Sequence, residues 1–159
     1  MTSNLGAKEL QKEVSLGFAA KSESDQKQVD QLHRENERKV RDELKKFMRP
    51  ELLNRLDKTV VFRALSRKDI SKIVHIQLED LAKRLLNRKL GMKASAPLKK
   101  WLVNEGYDAK NGVRPLRRLI QEELEDRIAE ALLLGTIQEG TVVSLGLKNK
   151  IPTVETITE

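Results

Sequence analysis

The sequence predicts an α/β fold, rich in helix, and three observations carry that prediction. Apolar residues recur at helical spacing in several separate stretches, and each stretch is bounded by a capping residue, a proline or a glycine. Two segments near the C-terminus, "TVVSLGL" and "PTVETIT", are dominated by β-branched residues and read as strands. With 38% apolar residues in 159, the chain can bury a core, which excludes a wholly disordered protein.

The elements follow in order. Ser22-Glu23-Ser24-Asp25 has the form of a capping box, and Val29, Leu32, Val40, Leu44 and Phe47 make a thin apolar stripe along a long, charged helix beyond it. Pro50 favours a fresh start, with Leu52, Leu53 and Leu56 as the apolar side of "PELLNRLD", and "TVVF" at Thr59 to Phe62 reads as a strand. The character changes near Ala64. Ser66 suits the cap of a helix carrying Ile70, Ile73, Leu78, Leu81 and Leu85, with Gly91 as its left-handed terminator. "SAPLKKWLVNEG" repeats that logic, with Ser95 as cap, Pro97 in the first turn, Leu98 and Leu102 inward and Gly106 at the end. A further helix opens at Pro115 and runs through Leu116, Leu119, Ile120, Leu124, Ile128 and Leu132 to Gly135. The second half is therefore expected to be a helical domain with a small sheet.

Composition narrows the function classes. The chain has no cysteine, so disulfides, thiolate metal sites and a cysteine nucleophile are excluded. No apolar run approaches the roughly 18 residues a membrane span needs, and the N-terminus lacks a signal-peptide pattern. No membrane association is expected, and a cytoplasmic or equivalent organelle interior is. The net charge of +7 arises from 31 basic residues interleaved with 24 acidic ones, and aromatics are only 3%, so neither a single-sign face nor a stacking surface for nucleic acid is present. Solvated helices laced with ion pairs are expected instead, and no nucleic-acid partner.

Catalytic signatures are sparse. His33 and His75 belong to no metal-ligand spacing, and no metal site is expected. There is no G-x-S-x-G elbow, and "GTIQEG" has phosphate-loop glycine spacing but is followed by Thr141-Val142 where Lys and Ser or Thr are required. Two arginines stand out. Arg55 lies in "RPELLNRLD", where it can face an anion or pair with Glu51 four residues earlier. Arg114 lies in "GVRPLRR", just before the proline that opens a helix, where it can lean toward a bound phosphate or make an ordinary surface contact.

Beside these residues stands a resemblance. "MTSNLGAKEL", "RPELLNRLDKTVVF", "NEGYDAKNGVRPLRRLIQEELEDRIAEALLLG" and "GTVVSLGL" follow one another as in the second ATPase module of ClpC-like, Clp-type AAA+ unfoldases. The likeness runs from Thr2 to about Leu147. It implies the C-terminal remnant of an AAA+ large subdomain over residues 1–63, followed by the small helical lid domain with a short sheet over 64–159. By the same likeness Asn4 is similar to the sensor-1 residue that positions attacking water, Arg55 to the arginine finger that reaches a neighbouring subunit's nucleotide, and Arg114 to the sensor-2 arginine of the lid. A planar guanidinium able to meet two phosphate oxygens suits both arginine roles.

Departures from the family pattern qualify those roles. The phosphate loop, the acidic strand that binds Mg²⁺ and the pore loop are missing from the sequence, so ATP and Mg²⁺ are implied for a full-length ATPase, with no tight binding by this chain alone. A fragment of a longer protein is expected, with Met1 compatible with an internal residue. Val113 stands where the family has a small residue, Met48 and Leu52 where it often has Phe, and Lys58 where it has an acid.

One more stretch gains meaning from the resemblance. In "VSLGFAA" the tripeptide Leu16-Gly17-Phe18 occupies the place of the loop that docks ClpC-like ATPases on the ClpP peptidase ring. Burying one phenylalanine in a cleft contributes about 1.5–3 kcal/mol, and repetition around a ring multiplies weak contacts through effective concentration. The implied partners are identical subunits in a ring, a hexamer by family, a ClpP-type peptidase, and unfolded protein substrates. The expected function is that of a chaperone subunit that unfolds substrates and passes them to the peptidase. The alternative is a stand-alone regulatory or assembly module that has kept the lid and the arginines without hydrolysing ATP.

Overall fold

A computed structural model describes residue 3 and residues 23–63, 65–108 and 111–157, with side chains described from residue 30 onward in the first helix. The chain divides into two units, Met1–Arg67 and Lys68–Glu159.

In the first unit, helix α1 (Glu23–Phe47) covers the long charged stripe, and Pro50 opens the one-turn helix α2 (Pro50–Leu53). Val40 and Asn36 are buried, whereas Leu32 and Leu44 are half-buried. An i,i+4 pair, Arg41 to Glu37 at 2.8 Å, decorates the outer face and holds the Glu37 carboxyl below its ordinary range, chiefly through that hydrogen bond. Ser22 and the side chain of Val29 lie outside the described residues, so the capping box is not among the observed features.

Two expectations for this unit are corrected. The apolar residues Phe47, Leu52 and Leu56 are exposed rather than inward, Phe47 by 75%. Thr59 to Phe62 is not a strand, and Phe62 is 82% exposed. Both have one cause: stripe spacing and β-branched composition are preferences that only a partner surface realises, and among the described residues none packs over these side chains or hydrogen-bonds along "TVVF".

The second unit begins within α3 (Arg67–Leu86), whose buried row is Ile70, Val74, Leu78, Leu81 and Leu85. Ser66, immediately before it, is itself buried. Ile73, assigned to the inward face from spacing, is only half-buried, and Val74 beside it takes the core position. The helix ends in a Schellman motif, with the Leu90 N–H donating to Leu85 O at 3.0 Å and the Lys89 N–H to Leu86 O at 2.8 Å. The left-handed residue is Lys89, φ 58°, and not Gly91 as expected. Gly91 opens strand β1 (Gly91–Ala94), which pairs in parallel with β2 (Val142–Lys148). A Cβ on Gly91 would stand 3.0 Å from Val142 Cγ2, so glycine there serves the close approach of two strands.

Helix α4 (Ala96–Glu105) is capped by Ser95, whose hydroxyl accepts the Leu98 N–H at 3.3 Å, and it buries Leu98 and Leu102 completely. After it come α5 (Arg114–Ile120), one turn of π geometry at Gln121–Glu125, and α6 (Asp126–Leu133). The π turn explains a spacing that a plain α-helix would not accommodate. Leu116, Ile120, Leu124 and Ile128 recur strictly every fourth residue, and all four are at most 2% exposed. Four residues of α-helix overshoot a full turn by about 40°, so a strict fourfold row drifts off the core face. One wider turn, in which the Asp126 N–H reaches back to Gln121 O, reverses the drift and returns the row to the core. Its carboxylates are held by arginines: Glu122 by Arg118 at 2.6 Å, Glu123 by Arg127 at 2.9 Å, and Glu125 by Arg84 of α3 through two bonds of 2.8 and 2.5 Å.

Gly135, φ 72°, ends α6 as expected. Strands β2 and β3 (Ile151–Ile157) form an antiparallel hairpin, and the sheet order is β1-β2-β3. Its two-residue turn, Asn149 and Lys150, has both φ values positive, as the twist of a tight hairpin demands. Val143 and Leu145 alternate inward and are fully buried. The result is the α-rich α/β class read from the sequence, with a small sheet beside the helices of the second unit.

Candidate functional site

Arg114 is placed by the local sequence on both sides. Upstream, Asp108 and Gly112 form an isolated antiparallel bridge, the Asp108 N–H donating to Gly112 O at 2.9 Å and the Gly112 N–H to Asp108 O at 2.7 Å. Inside that bridge the Asp108 carboxylate accepts the Asn111 N–H at 2.7 Å. Gly112 takes φ 64°, and Asn111 O accepts the Arg114 N–H at 3.3 Å. Downstream, Pro115 supplies a ready-made φ for the first turn. Leu116, 1% exposed, anchors the helix on Gly106, where an added Cβ would lie 2.5 Å from Leu116 Cδ1. Gly106 thus ends α4 with an ordinary φ of −78°, and it is glycine for space rather than for handedness.

The Arg114 side chain is exposed, and among the described residues its guanidinium has no hydrogen-bond or ion-pair partner. That separates it from Arg84, Arg118 and Arg127, each tied to a carboxylate. The bound carboxylates raise the pKa of Arg84 and of Arg118 further, through the hydrogen bond first and the charge second. Beside the turn, burial pushes the Tyr107 hydroxyl up, with the Asp108 charge adding to the effect.

Arg55 sits in the turn that follows α2, its N–H donating to Leu52 O at 3.1 Å, and its side chain is exposed. It is therefore just past the short helix rather than on it. The pair with Glu51 does not form among the described residues. Arg55 belongs to the first unit and Arg114 to the second. Asn4 and the Leu16-Gly17-Phe18 tripeptide lie outside the described residues. Among the described residues no group of three or more His, Asp or Glu side chains could hold a metal, and His75 pairs with Glu79 at 3.4 Å on an exposed face. No helix of the described residues is long and apolar enough to cross a membrane.

Comparison with known proteins identifies the family. Residues 65–145 match the family model described as the C-terminal, D2-small domain, of ClpB protein. The chain belongs to this Clp-type AAA+ family. It is 40% identical over 150 residues, 94% of its length, to the chaperone protein ClpB of Oceanobacillus iheyensis. It is 38% identical over 149 residues, again 94% of its length, to the negative regulator of genetic competence ClpC/MecB of Bacillus subtilis. It is 38% identical over 133 residues, 84% of its length, to a probable ATP-dependent Clp protease ATP-binding subunit of Chlamydia pneumoniae. These matches cover 18%, 18% and 15% of the relatives, so the chain spans less than a fifth of the Clp proteins it resembles.

The family implies ATP and Mg²⁺ in the full-length ATPase. An exposed, unpartnered guanidinium fits one phosphate contact, because no carboxylate has to be displaced first. The sequence supplies no phosphate-loop motif. Sequence reading missed the turn ahead of Arg114 and the π turn. The first had a signal, since Asn111-Gly112 is turn chemistry; the second had one in the strict fourfold spacing.

Proposed function

We propose that this chain is the C-terminal part of a ClpC-like, ATP-driven unfoldase subunit that delivers protein substrates to a ClpP-type peptidase. The observation that carries the ATPase reading is Arg114: an exposed arginine at the head of a helix, without a partner among the described residues, in a unit that matches the Clp small domain. In this reading residues 1–63 close the large subdomain and residues 64–159 form the lid. Arg114 meets phosphate in its own subunit. Arg55, exposed and without its Glu51 pair, reaches the nucleotide of the neighbour in a ring of identical subunits, and Asn4 orients the attacking water. A finger of this kind contributes about 10³–10⁵ in rate by stabilising transition-state charge. The peptidase coupling rests on Leu16-Gly17-Phe18 and is supported by relatives named as Clp protease ATP-binding subunits. A cytoplasmic or equivalent compartment accords with this work.

A second reading is favoured by the ClpB names among the relatives: a chaperone subunit that works without a peptidase. One experiment separates them. In the full-length subunit carrying this chain, Phe18→Ala is expected to leave ATP hydrolysis intact and to abolish peptidase binding and degradation. Binding that survives the substitution sinks the docking role of Phe18, and no binding by the wild type favours the second reading. In the same protein Arg55→Ala is expected to suppress hydrolysis while rings persist, and normal turnover would remove the finger assignment. The isolated chain is expected to show no hydrolysis above background.

A further inference from the structure

The turn in front of Arg114 is closed with more bonds than a surface connection needs. Two backbone bonds join Asp108 to Gly112, and a third, from the Asn111 N–H to the Asp108 carboxylate, is as short as either of them. Asn111 then passes the constraint on, because its carbonyl accepts the Arg114 N–H at 3.3 Å. The Asp108 carboxylate is thus linked to the Arg114 backbone through one intervening residue. Gly112 is consistent with a selected backbone path, since a Cβ there would meet nothing within 4 Å and only its φ of 64° calls for glycine. On the far side of Arg114 the chain is pinned by Leu116, buried against Gly106.

We infer that Asp108 is a positioning residue for Arg114. It holds the entry of the chain into α5 so that the guanidinium is presented from a stationary Cα. This rests on the reading of Arg114 as a phosphate contact. The Arg114 side chain is long and, among the described residues, unsupported, so its aim depends on the backbone beneath it. A backbone released at Asn111 adds conformations that nucleotide binding must freeze, which weakens binding more than it slows the chemical step.

The test uses the full-length ATPase carrying this chain, with steady-state ATP hydrolysis as the readout. Asp108→Ala is expected to raise the KM for ATP by about two- to tenfold, the worth of a single hydrogen bond, with kcat within about twofold of wild type. Asp108→Asn should bring KM most of the way back to wild type, because an amide carbonyl can still accept the Asn111 N–H, though without the carboxylate's charge. Arg114→Ala should raise KM at least as far, and adding Asp108→Ala to it should change nothing more. If Asp108→Ala loses folding, Gly112→Asn, which tolerates the left-handed φ, should keep a normal KM, and Gly112→Val, which does not, should raise it. Three outcomes overturn the inference: an unchanged KM in Asp108→Ala or Gly112→Val, an Asp108→Asn variant as impaired as Asp108→Ala, or additive effects of Asp108→Ala and Arg114→Ala. An Arg114→Ala variant with unaltered KM instead overturns the phosphate reading itself, and the positioning role falls with it.

Discussion

Gly106→Ala is a substitution in which two effects oppose each other and the packing decides the sign. At φ −78° alanine adopts the backbone without strain, and it would reduce the freedom of the unfolded chain, a gain of about 0.4–1 kcal/mol. Against that, the new methyl would stand 2.5 Å from Leu116 Cδ1, 2.6 Å from Leu102 O and 3.0 Å from Leu116 Cβ. Leu116 has little room to retreat, being 1% exposed, and Leu102 O is helix backbone that already accepts the Gly106 N–H at 2.9 Å. Overpacking of this kind costs about 1–3 kcal/mol. At the middle of both ranges the clash wins by about 1.3 kcal/mol, which for a domain of this size lowers Tm by roughly 5–10 °C. Thermal melts by circular dichroism, with urea unfolding followed through the single tryptophan, Trp101, measure it directly. An unchanged or raised Tm would refute the account of Gly106 as a packing glycine and loosen the anchor assigned to Leu116.

Other expectations follow from the same packing. Leu124→Ala removes a fully buried side chain from the middle of the π turn and should cost about 2–5 kcal/mol by urea unfolding; a loss below about 1 kcal/mol would mean that the turn is not seated on the core. Ser95→Ala deletes the cap of α4 and should cost about 0.5–2 kcal/mol, against no change if the 3.3 Å bond contributes nothing. Tyr107 is the only tyrosine, so an ultraviolet titration reports it alone, and its midpoint should lie above the ordinary value of about 10. The sign for stability follows: below the unfolded value both states are protonated and nothing is lost. As pH rises past it the unfolded chain releases its proton first, and stability falls until the folded pKa is passed. A midpoint at or below the ordinary value would contradict the burial of the ring.

The second unit was largely legible because its helices carry their own punctuation. Ser95, Pro97 and Gly106 bracket a ten-residue helix, and Leu98 and Leu102 fall inward at a spacing that leaves no other face apolar. The β2–β3 hairpin was legible for a similar reason, as composition and turn lie within 16 residues. Strand β1 was not. "GMKA" has no alternation or β-branched run, and it is a strand only because Val142 to Leu145 run beside it, half a unit away in sequence. The opposite failure is "TVVF", whose composition promised a strand that has no partner among the described residues. The choice of Lys89 over Gly91 as the left-handed residue belongs with these, because the sheet claimed the glycine and left the turn to a lysine.

For the site, the sequence by itself determined which arginines could face a phosphate: residue type, neighbouring proline and family motif are all local properties of the chain. Whether those arginines were already spent on a carboxylate was not local. Arg84 meets Glu125 across 41 residues, and no spacing rule could pair them or show that Arg114 and Arg55 have no such partner among the described residues. Helix periods and caps arise from contacts within a few residues, so they are written in order along the chain. Strand partners, ion pairs between elements and the side a strict fourfold row turns to the core are decided only when distant segments meet, and there the tertiary structure had the final word.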